Sequence, residues 1–392
     1  MHFVLVIGVI SFFADFTYEA ARGVLGQYLA TLGAGAATIS VITGFGALLG
    51  YALRLVSGKE ADKTGKFWPI TIFGYFIQLL AVPALALTGN WPAAAALVFV
   101  ERTGKATRNP PRDAMLSHAA TEMGGYGWAF GVHEAFDQGG AMLGPLAMAG
   151  VLALHHSYRF AFAALLLPAV ISLTLVLIAR HIYPHPEALE KKPAALDDSP
   201  SRFPRSFWFY LAGAGLAGAG FTDFPLMAFH FQQTRLIGPD WIPVLYALAM
   251  GISGAGSLLF GRLFDRFGFN VILILTLASA AFAPFVFFGG VHGIIVGVCL
   301  WGLGMGVHES IIPAAVAPMV GSGRRASAYG TFTAAYGVAW FLGSAAIGVL
   351  YDHSMTWTVA FCVGAELLAI PFFVLTKRTM MSPANMQPLG AK

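Results

Sequence analysis

Acidic, aromatic and basic side chains form a stripe inside the first apolar stretch of the chain. Asp15, Tyr18, Glu19 and Arg22 are spaced three or four residues apart, so in a helix they share one face. Carboxylates can exchange protons, a guanidinium can hold an anionic group, and a phenol can donate or accept a hydrogen bond. The spacing predicts a polar face that points toward other helices or water.

A second charged stretch, residues 101–113, has basic side chains at every third or fourth position. Glu101, Arg102 and Lys105 occupy its first part, and Arg108 and Arg112 its second. We assign the first part to a polar cavity. We assign the two later arginines to the end of the helix, where they would partner an acidic loop residue.

Histidine and acidic residues recur one helical turn apart farther along the chain. His133 and Asp137 are four residues apart, with Glu134 beside them. A histidine next to a carboxylate can exchange protons near neutral pH. In the alternative interpretation, His133 only hydrogen-bonds Asp137 within a polar core.

The second half of the chain has fewer such groups, and the main candidates are Asp223 and Glu309. We place Asp223 in the middle of a helix, and prolines at 225 and 313 predict helix breaks beside the two acids. Interrupted helices near ionisable groups are typical of solute sites, because they free backbone groups for binding.

These ionisable residues lie in an apolar chain that must cross a membrane. Hydrophobic residues make up 57% of the 392 residues and charged residues 11%, against about 25% in soluble proteins. Six or more lipid-exposed charges would cost about 20 kcal/mol, more than the net stability of a domain, about 5–15 kcal/mol. The charges must therefore face one another or water. In the alternative, they form an ion-pair network that only fixes packing.

Twelve apolar runs are long enough to cross a bilayer, six in each half of the chain. The predicted segments are 3–31, 37–57, 67–89, 92–113, 126–153, 158–181, 206–236, 241–262, 270–288, 291–317, 327–351 and 355–376.

Basic residues gather on one side of this arrangement, which predicts that both termini lie in the cytoplasm of a bacterial cell, with the chain in its inner membrane. No basic residues precede the first apolar run, so we do not interpret it as a signal peptide. The predicted organisation is an N-terminal six-helix bundle over 1–182, a cytoplasmic linker over 183–205, a C-terminal six-helix bundle over 206–379 and a cytoplasmic tail over 380–392.

A Gly-x-x-x-Asp-(Lys/Arg)-x-Gly string occurs twice, starting at Gly58 and at Gly261, 203 residues apart. Each copy follows a long apolar segment, so the chain is predicted to be a tandem duplication. The string resembles the loop between helices two and three of major facilitator superfamily transporters and its counterpart between helices eight and nine. The residues that carry this resemblance, and to which it assigns a gating role together with Arg108 and Arg112, are Gly58, Asp62, Lys63, Gly65, Lys66, Asp265 and Arg266.

Segment five has a second glycine pattern, formed by Gly131, Gly140, Gly144 and Pro145. It resembles the helix-five motif of the antiporters in this superfamily. Small residues allow close helix contact and proline bends a helix, so we expect a hinge surface that touches a helix of the opposite half. The Arg102-Thr103-Gly104 string also resembles the helix-four arginine signature of proton-linked facilitators.

The resemblance implies an all-α integral membrane protein whose twelve helices form two pseudo-symmetric six-helix bundles, with helices one, four, seven and ten lining the solute path. We therefore expect proton coupling by Asp15, Glu19, Glu101, His133, Glu134 and Asp137. We expect substrate binding by Tyr18, Arg22, Arg102, Lys105, Asp223 and Glu309.

Enzyme and cofactor motifs are missing from the sequence. It contains no Gly-x4-Gly-Lys-(Ser/Thr) phosphate loop, no Gly-x-Ser-x-Gly and no His-Glu-x-x-His. The adjacent His155 and His156 have no partner at metal-ligand spacing, so no metal or cofactor is expected. A net charge of +4 reflects the membrane orientation and does not point to nucleic acid. We expect a monomer in the lipid bilayer.

The sequence thus predicts a secondary transporter that exports a small organic solute in exchange for protons. The first alternative is a proton-coupled uptake symporter, or a uniporter, for an organic anion or zwitterion. The second is a membrane receptor or sensor that transports nothing.

Overall fold

The computed structural model describes residues 2–120, 126–185, 203–312, 315–316, 319–320 and 325–380, and these residues form helices joined by short loops, with no β-strand among them. A 3₁₀ turn covers Leu85–Leu87, and a π-helical turn covers Val307–Ile311. The helices are α1 (His2–Thr31), α2 (Ala36–Thr64), α3 (Phe67–Ala84), α4 (Trp91–Ala120), α5 (Tyr126–His155), α6 (Tyr158–Ala164), α7 (Leu166–Ile182), α8 (Arg205–Gly220), α9 (Phe224–Thr234), α10 (Ile242–Phe267), α11 (Phe269–Ala280), α12 (Phe282–Phe288), α13 (Val291–Gly306), α14 (Arg325–His353) and α15 (Met355–Met380).

The predicted all-α membrane fold is confirmed. Each of the twelve predicted segments corresponds to one helix or to a pair of consecutive helices. Within the described residues, eight stretches are long and apolar enough to span a membrane: His2–Thr31, Ala36–Ala61, Phe67–Leu87, Tyr158–Ile182, Phe269–Phe288, Val291–Glu309, Ala328–His353 and Met355–Met380.

The chain forms two compact units. The first unit comprises the described residues of Met1–Ala194 together with Asp223–Gly251, and the second those of Ala195–Thr222 together with Ile252–Lys392. Helix α9 and the first part of α10 therefore pack with the helices of the first half. The predicted limits of the bundles, the linker and the tail stay a prediction.

The seventh segment is interrupted at residues 221–223, where α8 ends and α9 begins. Asp223 has extended backbone dihedrals and directly precedes α9, with Pro225 in the first turn. Our placement of Asp223 in the middle of a helix was therefore wrong, although the predicted break beside Pro225 is present. Proline is favoured at a helix start because its missing N–H is not needed there.

Glycines bring α5 against α1 within the first unit. A Cβ atom on Gly140 would lie 2.3 Å from the Phe12 carbonyl oxygen, and one on Gly144 would lie 2.2 Å from that of Phe16. The expectation that these glycines touch the opposite half was therefore wrong. Gly140 and Gly144 are one turn apart and present their bare backbone to α1 of their own bundle.

The second unit repeats this glycine contact. A Cβ atom on Gly343 of α14 would lie 2.2 Å from the Ala219 carbonyl oxygen of α8. Gly343 follows Gly144 by 199 residues in the sequence. In addition, α2 and α10 both end on a glycine with positive φ, Gly65 at 65° and Gly268 at 58°, in corresponding copies of the charged string. Both comparisons support the duplication inferred from the sequence.

Helices α3 and α4 also approach through glycine. A Cβ atom on Gly74 would lie 2.7 Å from the Gly104 carbonyl oxygen, and one on Gly104 would lie 2.4 Å from the Gln78 nitrogen. This close approach sets Tyr75 and Gln78 of α3 directly against the charged side chains of α4.

Candidate functional site: a buried charged cluster

Arg108 of α4 joins three helices of the first unit. Its side chain is fully buried, and Nη2 donates to Asp15 Oδ1 at 3.1 Å. Nη1 donates to the Tyr75 hydroxyl at 3.0 Å, and Nε donates to Gln78 Oε1 at 2.5 Å. A guanidinium can hold partners in several directions because its donors are fixed in one plane. We assigned Arg108 to the gate; the structure instead gives all these donors partners inside the bundle.

Asp15 is shared between two cations. Besides the bond from Arg108, Lys105 Nζ lies 3.6 Å from the same Asp15 oxygen. The Lys105 ammonium also lies 3.8 Å from the centroid of the Tyr18 ring, within the range of a cation–π contact. Asp15 is thus held as a counter-ion by α4.

Arg112 was also assigned to the gate, and its side chain is likewise buried. Its Nη1 donates to Ser11 Oγ at 3.1 Å, and its Nη2 lies 2.8 Å from Asp113 Oδ1. Arg112 Nη1 is also 4.0 Å from Asp137 Oδ2. The two arginines therefore extend the polar cluster along α4 toward α5.

The predicted pair of His133 and Asp137 is formed. His133 Nδ1 lies 3.4 Å from Asp137 Oδ2, and its Nε2 lies 2.9 Å from Ser11 Oγ. The other carboxylate oxygen of Asp137 is buried without a hydrogen bond. Glu134 differs, because its side chain is exposed and accepts a bond from Gln138 at 3.0 Å.

A second group of polar residues lies farther along α1 and α4. Arg102 Nη1 donates to the Tyr18 hydroxyl, and the Arg102 guanidinium carbon lies 5.0 Å from the Tyr18 ring centroid. Gly46 of α2 leaves space for the Arg102 stem. Glu101 Oε2 lies 3.6 Å from Arg102 Nε, whereas Glu101 Oε1 is buried and accepts no hydrogen bond.

Two residues of the second half of the sequence complete this group, since α9 and the start of α10 belong to the first unit. The Tyr246 hydroxyl donates to Glu19 Oε2 at 2.5 Å, and Arg22 Nη1 lies 3.7 Å from the same oxygen. Thr43 of α2 donates to Asp223 Oδ2 at 3.2 Å. Glu19, Arg22 and Asp223 are thus all in contact with polar partners in one unit.

A narrow cavity, partly open to solvent, lies between α1, α3 and α4. Arg22, Glu101 and Arg102 contribute charge to its lining, and Tyr18 contributes its ring and hydroxyl. The rest of the lining is aliphatic: Ala21, Leu25, Ala81, Val82, Leu85, Leu97 and Val98. The lining therefore combines charged side chains with an aliphatic wall.

Several predicted residues are not part of this cluster. Glu309 lies in the π-helical turn of the second unit. Gly58 lies in α2 two turns before its end, exposed Lys63 lies in its last turn, and exposed Gly65 caps it. Exposed Lys66 precedes α3, and exposed Arg266 lies at the end of α10. The side chains of Asp62 and Asp265 and the surroundings of Gly131 fall outside the described residues.

The sequence model of the Major Facilitator Superfamily matches residues 7–343 and 240–388. The chain belongs to the Major Facilitator Superfamily. This facilitator is 39% identical over 387 residues to the uncharacterized protein Rv2265 of Mycobacterium tuberculosis, covering 97% of this chain and 94% of the relative. It is 24% identical over 383 residues to the uncharacterized MFS-type transporter MJ1317 of Methanocaldococcus jannaschii, with coverage of 95% and 94%.

Solved structures of other facilitators have the same fold. The nucleoside transporter NupG superposes with a TM-score of 0.73 at 14% identity, covering 97% of this chain and all of that one. A mutant of the peptide transporter POT gives 0.72 at 13% identity, with coverage of 96% and 94%. This facilitator is accordingly a multi-pass membrane protein and a secondary transporter of a small molecule, not an enzyme.

Several members of the charged cluster of this facilitator were not predicted from the sequence. Tyr75 and Gln78 are polar, three residues apart and surrounded by apolar residues, so their helical spacing was a usable signal. Ser11 lies four residues before Asp15 and extends the stripe of α1 by one turn. Tyr246 gave no signal, because a single tyrosine in an apolar segment is common at helix interfaces.

Proposed function

We propose that the protein exports a small zwitterionic or anionic organic solute in exchange for protons. The observation that carries this proposal is the cluster of buried, nearly charge-balanced side chains shared by α1, α3, α4 and α5. Buried ion pairs add little net stability, since desolvation offsets their attraction, whereas ionisable groups inside a membrane usually serve transport. The cluster is therefore better explained by solute and proton binding than by packing alone.

The proton is proposed to bind at the pair of His133 and Asp137 and at Glu101. Asp137 and Glu101 each have one buried carboxylate oxygen without a hydrogen bond, which a bound proton or a water molecule would satisfy. Asp15 is less suited to this role in the conformation described, because Lys105 and Arg108 already neutralise it.

Hydrogen bonds and close contacts connect the proton pair to the cations of α4. Ser11 lies 2.9 Å from His133 and accepts from Arg112, and it is 3.5 Å from the Tyr75 hydroxyl, which Arg108 contacts in turn. Protonation of Asp137 removes a negative charge 4.0 Å from Arg112. Arg112 then loses an ionic partner and can hydrogen-bond other acceptors. Because Arg112 contacts Ser11, and Ser11 is connected to Arg108 through Tyr75, this change alters the polar surroundings of Asp15.

The solute is proposed to bind in the cavity between α1, α3 and α4. Arg22 and Arg102 would hold an anionic group, Glu101 would hold an amine, and the aliphatic walls would contact the apolar part. A purely hydrophobic cation is disfavoured, because like charges at 4 Å repel by about 4 kcal/mol at an effective dielectric of about 20.

Export is proposed from the helix-five glycine pattern, which resembles that of antiporters. The competing function is uptake of an organic anion by a symporter or uniporter, and the two arginines at the cavity favour an anionic ligand. We further propose that the protein acts as a monomer in a bacterial inner membrane, with both termini in the cytoplasm.

Flux measurements in proteoliposomes test the proposal. A screen of metabolite uptake and efflux identifies a solute, and a pH-sensitive dye inside the vesicles then reports proton movement during solute flux. Protons that move against the solute support export by exchange. Protons that move with it indicate a symporter, flux without proton movement a uniporter, and no flux for any metabolite contradicts all three.

The charge preference has its own test. We expect Arg102→Ala to weaken transport of the anionic or zwitterionic solute more than transport of any cationic dye. Arg54→Ala, an exposed arginine of α2, is the matched control. Broad resistance to quaternary ammonium dyes that Arg102→Ala leaves unchanged would contradict the proposed substrate class.

A further inference from the structure

The second unit contains a buried carboxyl group that no part of the mechanism above uses. Glu366 of α15 is 1% exposed, and neither of its carboxyl oxygens makes a hydrogen bond. Within the described residues, no lysine or arginine forms an ion pair with it. An ionised carboxylate in such a site would lack both water and a counter-charge, which is one of the costliest arrangements in a protein.

Glu366 lies beside the interruption of the seventh segment. A Cβ atom on Gly220, the last residue of α8, would lie 3.2 Å from Glu366 Cγ. The free carbonyl groups at the C-terminal end of a helix carry partial negative charge. That end of α8 therefore repels a carboxylate and tolerates a neutral carboxylic acid, which can donate a hydrogen bond.

The polar side chains found beside Glu366 among the described residues, those of Ser279 and Cys362, carry no positive charge. Ser279 of α11 has a buried hydroxyl that makes no hydrogen bond at normal geometry, although it lies close enough to interact with the Glu366 carboxyl. Cys362 lies one turn before Glu366 on α15 and is 3.4 Å from the Thr222 hydroxyl at the interruption. α11 contains no basic residue, and those of α15, Lys377 and Arg378, lie about three turns beyond Glu366.

Thr222 ties this site to the interrupted backbone. Its carbonyl oxygen accepts a bond from Trp301 Nε1 at 2.8 Å, and the Phe221 ring lies 4.6 Å from that of His308. Residues 221–223 interrupt the regular helical bonding: the Phe221 N–H donates back to the Gly218 carbonyl at 3.3 Å, and the Asp223 carbonyl accepts from the Leu226 N–H at 3.1 Å. A shift of this short stretch is the simplest way for water to reach Glu366.

We propose that Glu366 is a second proton-binding residue of the transporter. In the conformation described, the carboxyl group keeps its proton. When residues 221–223 move during the transport cycle, the O–H bond breaks, the proton passes to water and a hydrated carboxylate remains; the proton returns when the site closes. The proposal rests on the proton coupling proposed above.

Infrared spectroscopy tests the protonated state independently of transport. Spectra of the purified protein at neutral pH are compared with those of Glu366→Gln, a neutral side chain of nearly the same shape, and of Glu60→Gln, an exposed control in α2. We expect Glu366→Gln to lose a C=O band of a protonated carboxyl group that Glu60→Gln keeps. An unchanged band intensity in Glu366→Gln overturns the proposal.

Transport by the same variants separates a proton carrier from a buried structural acid. Glu366→Gln should keep solute counterflow at equal pH and lose accumulation driven by a pH gradient; full accumulation in this variant overturns the proposal.

If wild-type flux moves no protons, the proposed function fails, while the infrared result still reports on Glu366. If Glu366→Gln does not fold, labelling of wild-type protein with dicyclohexylcarbodiimide decides: modification at Glu366 supports the site, and its absence overturns it.

Discussion

Arg108 is the side chain on which the charged cluster depends. It donates to Asp15, Tyr75 and Gln78, which lie on two other helices, and it has no contact with solvent. Loss of a single partner from a buried pair leaves a charge that neither water nor another residue compensates. The ion pairs add little net stability, but loss of any one partner should destabilise the first unit strongly.

Asp15→Asn should reveal this dependence. We expect it to lower stability by about 3–5 kcal/mol, the usual cost of breaking a buried pair, and to abolish transport driven by a pH gradient. Thermal unfolding in detergent measures the change, with Glu60→Gln as an exposed control. Because the double variant leaves only Lys105 without its counter-ion, and no longer Arg108, Asp15→Asn with Arg108→Gln should cost less stability than the sum of the single variants. Full stability of Asp15→Asn would contradict the described geometry.

The bond between Tyr246 and Glu19 links α10 to α1. Hydrogen bonds to charged groups contribute about 1.5–3 kcal/mol, so we expect Tyr246→Phe to lose stability in that range. In a protein that already carries Glu19→Gln, Tyr246→Phe should reduce the stability by a smaller amount, since the acceptor is no longer charged. A double-mutant cycle by thermal unfolding measures the coupling, and strictly additive effects would show that the two side chains do not interact.

At the scale of the helices, the contact between α1 and α5 depends on glycine. A Cβ atom on Gly144 meets a backbone carbonyl, which a rotamer change cannot move aside. We expect Gly144→Ala to cost about 3 kcal/mol, the upper part of the range for overpacking, and to reduce the amount of folded protein.

Gly150→Ala is the matched control in the same helix, because a Cβ atom at that position has no neighbour within 4 Å. Alanine is favoured over glycine in helices by about 1 kcal/mol. Gly150→Ala should therefore be neutral or stabilising by thermal unfolding. Equal losses of stability in Gly144→Ala and Gly150→Ala would show that the contact between α5 and α1 is not the cause.

At the scale of the whole molecule, transport requires a change of conformation, and we expect the charged string at the end of α2 to control it. By resemblance to the family, we expect Asp62 to stabilise the outward-open state at the cytoplasmic side. Asp62→Asn should then reduce transport and shift the resting population toward inward-open. Labelling of single cysteines at the cytoplasmic side measures the shift against Glu60→Gln, and an unchanged labelling pattern would exclude this role.

Much of this protein could be predicted from the sequence, because its determinants are local. Apolar length sets the membrane segments, and helical spacing places Asp15, Tyr18, Glu19 and Arg22 on one face. Glycine and charge spacing reveal the duplication. The pair of His133 and Asp137 was predictable for the same reason, since residues four apart on a helix are neighbours in any fold.

The tertiary structure decided the partners. Arg108 and Arg112 looked like gate residues because they lie late in segment four, but α3 and α1 supply buried acceptors at that depth. Gly140 and Gly144 were predicted to contact the opposite half of the chain, but they pack on α1. Spacing along one helix determines which side chains share a face, whereas the helix that covers this face depends on packing between segments distant in the chain.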